Sequence, residues 1–232
     1  MELKRLTYPA YEQPLLSAYE GRFECAYAIL HPFIRIAENA VANVSRYPTD
    51  EQVAARGEKY RWRQVATEAN LKTYSEINHG LLSLIRALKQ EFQNEDAAQA
   101  IENVLNKTGC VWMPPEGVFP VLLHLDIISA FETGQADEMV FIPEFPDLDP
   151  VQHLEVAELH QAAGGVFPWR GTLVPPDAKF LFTVDWDSFF TLFYGPSTFV
   201  AEVVKERQIE GFFLGRSTRH GWWSESVPIP VT

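Results

Sequence analysis

The chain has 232 residues, 47% of them hydrophobic, enough to bury a core and to form one domain or a domain with a distinct lobe. Nineteen basic against thirty-one acidic residues leave a formal charge of −12, which repels a phosphate backbone or an anionic membrane surface and admits a cationic partner instead. Nucleic acid and membranes are therefore excluded as expected partners; Cys25 and Cys110, the only cysteines, lack metal or redox spacing and fit a reducing, cytoplasmic setting.

Residues 1–24 mix aromatics with turn formers, and Pro9, Pro14 and Gly21 interrupt any long periodic element. Apolar spacing predicts helix from Phe23 to Val44, broken at His31-Pro32, with Phe33, Ile36, Ala37, Ala40, Val41 and Val44 as its buried stripe. Glu51 to Leu71 is polar and helix-permissive; its basic run of Arg56, Lys59, Arg61 and Arg63 reads as a solvated face. Ile77, Leu81, Leu84, Ile85, Leu88 and Phe92 predict a helix over Ser75 to Phe92, and a shorter one follows from Asn94 to Asn106 with a glycine stop at Gly109. Cys110 to Met113 is a short strand. Phe119 to Phe131 is a buried helix between Pro120 and Gly134, and Glu138 to Pro143 is a strand. Val151 to Ala163 lies between a proline-rich turn and Gly164-Gly165, and Val227 to Val231 is extended.

The organising stretch runs from Lys179 to Trp223. Phe180, Phe182 and Val184 alternate with Thr183, Asp185 and Asp187, the period of a pleated strand, and a continuous strand would place both aspartates on one face roughly 6–7 Å apart. A break is equally compatible, with Asp187 or Ser188 capping a short helix. A helix after Gly195-Pro196 carries Phe199, Val200, Val203 and Val204 inward, and Ile209 to Gly215 supplies a second strand, most simply parallel and adjacent to the first.

Three constellations could carry chemistry. His153 and His160 stand seven residues apart, about 10.5 Å along a helix, too far for one ion, so no metal site is expected there. Asp185, Asp187 and His220 are the catalytic candidates, because paired carboxylates beside an imidazole suit general acid–base work. Glu210, Arg219, Trp222 and Trp223 are the candidates for ligand or partner binding, a guanidinium with two indoles offering bidentate hydrogen bonding and stacking. Against these stand ordinary structural roles: a helix cap for Asp187, a surface charge for Glu210, and core packing for His220, Trp222 and Trp223. Glycine-rich phosphate loops, the zinc-protease helix motif and the serine-hydrolase elbow are all absent from the chain.

The segments VDWDSFFTLFYG (residues 184–195) and EGFFLGRSTRHGWW (residues 210–223) resemble the YwbB-type family of uncharacterised bacterial proteins. That resemblance implies a bacterial cytosolic protein of about this size and brings no activity, cofactor or catalytic residue with it.

The expected fold is α+β: a helical N-terminal portion, residues 1–108, packed against a C-terminal α/β portion, residues 109–232, with a mixed sheet and covering helices. The leading functional reading is a non-enzymatic, acidic protein-binding module of the immunity type that takes a basic protein partner and needs no cofactor. The alternative is a small-molecule enzyme, metal-assisted in one form, using Asp185, Asp187, His220 and Arg219. A homo-oligomer joined through the apolar C-terminal surface is a third reading.

Overall fold

A computed structural model describes residues 3–37, 47–161 and 167–230 of the chain. It is an α+β protein: among the described residues there are seven α-helices, a seven-stranded sheet and a three-stranded sheet. The chain divides into two compact units, one of residues Met1–His31 with Pro115–His220 and one of Pro32–Pro114 with Gly221–Thr232. No described helix is long and apolar enough to cross a membrane.

The first unit is built on the large sheet. Its strands are β1 (Cys25–Leu30), β5 (Glu138–Pro143), β6 (Gln152–Glu155), β7 (Gly171–Val174), β8 (Leu181–Val184), β9 (Phe190–Gly195) and β10 (Gly211–Phe213). Their order is β10-β1-β9-β8-β7-β5-β6, and every pairing is antiparallel. The mixed sheet expected from spacing does not form. β9 and β10 do run in the same direction, but β1 lies between them and pairs antiparallel with each, so they are not neighbours. That position could not be anticipated, because Cys25–Leu30 reads as helix from local apolar spacing. A run buried on both sheet faces has no strand alternation to show.

Residues 180–195 form neither a continuous strand nor a strand and helix. They form a hairpin, β8 and β9, closed by the turn Asp185–Phe189. Asp185 Oδ2 accepts the Asp187 N–H at 3.3 Å, and the Ser188 hydroxyl bonds the Asp185 carbonyl at 2.9 Å, the local bonding that makes aspartate and serine turn formers. The connection also changes parity. Phe182 pairs with Phe193, so Phe193 continues the Phe180–Phe182 face, and Phe190, Leu192 and Tyr194 turn to the other.

Helices α5 (Val121–Thr133) and α7 (Ser197–Glu206) cover the first face, and the short α6 (Val156–Gln161) adds Val156 and Leu159 to the same cluster. Phe182 stacks on Phe193 at 4.2 Å, Phe131 and Phe199 pack on Phe180, and Leu123, Ile127, Val200 and Val203 complete the cluster. Pro120 and Gly134 bound α5 as the sequence predicts. Its buried Asp126 is paired with Arg207 at the end of α7, Nε to Oδ1 at 3.2 Å. Arg207→Ala removes the cation from beside that buried carboxylate, and because the arginine side chain is 39% exposed the expected loss is about 2 kcal/mol, below that of a fully buried pair. Urea denaturation measures it, and Asp126→Asn in the same chain should recover part of it.

The second face is covered by the N-terminal segment. Tyr194 donates to the Leu15 carbonyl at 3.1 Å and is packed by the rings of Tyr19 and Phe23. Leu15 N–H in turn bonds the Thr218 carbonyl at 2.8 Å, tying residues 214–220 to the same segment. His31, fully buried, shares hydrogen bonds of 2.9 Å with the Thr191 hydroxyl and the Pro115 carbonyl. Burial lowers its pKa to about 3, so it is neutral at ordinary pH.

The second unit holds β2 (Phe33–Ile36), β3 (Gly57–Tyr60) and β4 (Val111–Trp112) in the order β3-β2-β4. Phe33–Ile36 is therefore strand where helix was expected; of the rest of the predicted buried stripe, Ala37 lies past the strand end and is exposed, and Ala40, Val41 and Val44 fall outside the described residues. Four helices follow: α1 (Asp50–Arg56), α2 (Trp62–Ala69), α3 (Tyr74–Leu84) and α4 (Glu95–Thr108). Thr49 with Gln52 and Thr73 with Glu76 form capping boxes, and Asn94 and Gly109 bound α4. α3 stops eight residues before the expected Phe92. Arg86 takes a left-handed conformation and Asn94 N–H bonds Ser83 Oγ at 2.9 Å, which turns the chain back so that α4 lies along α3. Gly80 permits that approach, since a Cβ there would stand 2.8 Å from Ile101 Cδ1.

Candidate functional site

A hollow of the first unit lies where the N-terminal segment meets the β8–β9 turn. It has a volume of about 330 Å³, and its lining includes Tyr8, Tyr11, Glu144, Thr172, Asp185 and Trp186. At its wall Asp185 is 7% exposed. The Tyr11 hydroxyl donates to Asp185 Oδ2 at 2.5 Å, and the same oxygen takes the Asp187 N–H. The Tyr11 ring stacks on the His220 imidazole at 3.9 Å and 5°, and the Tyr8 hydroxyl shares a 2.9 Å hydrogen bond with His220 Nδ1. Phe190 closes the group from the sheet, its ring 5.8 Å from that of His220.

Electrostatics give the group one charge. Burial lowers the His220 pKa to about 4, with Asp185 opposing, so the imidazole is neutral at pH 7. Burial also raises both tyrosine hydroxyls well above the ordinary phenol range, and Asp185 adds to the rise. Asp185 is thus the one charged member of the quartet. Among the described residues no lysine or arginine is bonded to it. The arrangement can hold a positive group at the carboxylate, and the neutral Tyr8–His220 couple can pass a proton beside it.

Glu116 and Asp187 form an acid pair at the turn. Burial, then the Asp187 charge and a hydrogen bond with it, raise the Glu116 pKa to about 6 against the opposing Arg170, and burial raises that of Asp187. Gly117 beside them donates to the Ser188 carbonyl at 2.8 Å and accepts from Arg170 Nε at 2.6 Å. Arg170 also reaches Glu144 at 3.6 Å.

Of the residues singled out from the sequence, the structure brings Asp185 and His220 together through Tyr11 and places Asp187 in the same turn as Asp185, its side chain paired with Glu116. Arg219 is exposed and does not line the hollow. Glu210 lies at the head of β10, where its backbone carbonyl accepts from Leu30 N–H at 3.0 Å. Trp222 and Trp223 belong to the second unit, where Trp222 is buried and their rings meet at 6.2 Å. His153 is on β6, bonded to Glu138 of β5. Among the described residues no three His, Cys, Asp or Glu side chains are grouped to hold a metal ion.

Sequence reasoning missed Tyr8 and Tyr11, because their segment has no periodicity to read. The one available signal was two tyrosines flanking Pro9 in an otherwise turn-rich stretch. The second unit has a larger hollow of about 660 Å³ along α2, but its polar groups are already engaged: Lys72 bonds Asn70, and Glu68 accepts from Tyr60.

Comparison with known proteins places the chain beside others without assigned activity. It is 23% identical over 221 residues to the uncharacterized protein YwbB of Bacillus subtilis (strain 168), an alignment covering 91% of this chain and 96% of that protein. No solved structure matches it significantly. The profile of the family described as "Protein of unknown function (DUF2711)" matches residues 11–224, a span that takes in Tyr11, Asp185 and His220, and the chain belongs to that family.

Proposed function

We propose that this protein binds a small organic cation in the cavity at Asp185. The observation that carries the reading is the buried Asp185 carboxylate on the cavity wall with no cationic side chain bonded to it. The carboxylate accepts from Tyr11 and the Asp187 N–H but has no paired positive charge, and an ammonium group supplies one in a cavity whose lining also includes the aromatic residues Tyr8, Tyr11 and Trp186. A volume of about 330 Å³ suits a compact ligand. Asp187 and Arg219 make no contact with the ligand in this reading, and it requires no metal.

The test is calorimetric titration of the full chain with ethylammonium and choline against neutral alcohols of similar size. The cations are expected to bind and the alcohols not, and Asp185→Asn, which keeps an acceptor for Tyr11, should weaken cation binding about ten- to hundredfold. Equal binding of the alcohols, or indifference to Asp185→Asn, would overturn the reading.

A second reading, the cytoplasmic acidic module that takes a basic protein, is favoured by one surface feature. Leu148 is 83% exposed between Asp147 and Asp149. On this reading a basic partner is captured from lysate at low and physiological salt by the native chain and not by Leu148→Asp. Capture of nothing at either salt concentration would remove it.

A further inference from the structure

A second hollow of about 410 Å³ adjoins the Asp185 cavity, sharing Pro143 and Glu144 with it and extending over the end of β5. Its character is different. Most of its lining is apolar, including Phe141, Phe145, Leu154, Phe167 and Trp169. Phe145 is 58% and Trp169 66% exposed, large apolar surfaces to leave in water.

Trp169 is nevertheless held. Its carbonyl accepts the Phe119 N–H at 3.0 Å, and the Arg170 guanidinium lies 4.8 Å from the centre of its ring. Arg170 is itself fixed by the Gly117 carbonyl and by Glu144, the residue common to both hollows. Phe167 is likewise set, stacked on His124 at 4.0 Å. An exposed indole on an anchored backbone beside a fixed guanidinium is a preorganised apolar platform, which loses little freedom when covered.

We propose that the two hollows form one cleft for an amphiphilic amine: the ammonium group at Asp185, a linker past Glu144, and an aromatic or aliphatic tail on Trp169 and Phe145. The Glu144–Arg170 pair is neutral as a unit, which leaves Asp185 as the carboxylate without a cationic partner at the head end, whereas the tail hollow, Asp149 apart, is lined mainly by apolar side chains. This rests on the proposed cation site, and adds the substrate class to it.

The experiment uses the full chain and a series of ω-phenylalkylammonium ions with two, four and six methylenes, with ethylammonium as the tail-less probe, each titrated into the native chain, Asp185→Asn and Trp169→Ala. The native chain should bind the best of the series about tenfold or more tighter than ethylammonium. Trp169→Ala should erase that gain and leave ethylammonium binding unchanged, and Asp185→Asn should weaken every member. If ethylammonium binds in an Asp185-dependent manner and the phenyl tail adds nothing, or its gain survives Trp169→Ala, the extended cleft is wrong and the cation site stands. If no amine binds, both fall.

Discussion

Lowering the pH from 7 to 4 is expected to destabilise the protein by several kcal/mol, earlier than carboxylate titration alone would do it. His31 and His220 are both buried, with folded pKa values of about 3 and about 4 against 6.5 when unfolded. Between those limits the unfolded chain binds protons that the folded chain refuses, so stability rises with pH across the window and is lost as pH falls from 6.5. Each imidazole contributes on the order of 3 kcal/mol over the full window. Glu116 works the other way: its folded pKa of about 6 lies above 4.5, so the folded state takes up its proton first, and this offsets a part of the loss. Urea midpoints at pH 7, 5.5 and 4 measure the slope. His31→Gln keeps hydrogen-bonding capacity toward Thr191 or Pro115 and should flatten it; a midpoint constant from pH 7 to 4.5 would contradict the burial of both rings.

The second large effect is expected at Gly117. Its φ of +63° already disfavours a side chain, and a Cβ built there would stand 2.1 Å from the Trp186 carbonyl oxygen, a backbone atom of the turn that carries Asp185. Gly117→Ala must push that turn away from the loop, at a loss on the order of 3 kcal/mol. Gly109→Ala supplies the comparison: φ there is +60° with nothing within 4 Å, so only the conformational cost of about 1 kcal/mol remains. The two variants should therefore differ by about 2 kcal/mol in urea denaturation. Ethylammonium affinity should fall for Gly117→Ala alone, because only that change moves Asp185. Equal effects of the two would mean that loop and turn are not in contact.

Local rules made much of the chain legible. Helix α5 between Pro120 and Gly134, helix α4 between Asn94 and Gly109, strand β5 over Glu138–Pro143 and helix α7 after Pro196 all follow from caps, spacing and proline geometry, which depend on neighbours in sequence. The C-terminal segments 184–195 and 210–223 also carried the family resemblance, and Asp185 and His220 stood out as polar groups among aromatics.

The tertiary structure alone decided what those groups face. Cys25–Leu30 became an interior strand because it is flanked by β9 and β10, partners more than a hundred and fifty residues away, and a run buried on both faces looks the same as a buried helix. The parity change at the β8–β9 turn put Phe193 on the face of Phe182 and Phe190 on the other, which no period in the sequence could signal. Tyr8 and Tyr11 entered the site through a segment with no periodicity, held by a few long-range hydrogen bonds such as Leu15 to Thr218. Side-chain chemistry is written residue by residue, but whether a carboxylate meets a cation, a phenol or an open cavity depends on long-range pairing. Here that pairing placed the Asp185 carboxylate against Tyr11 at the wall of an open cavity.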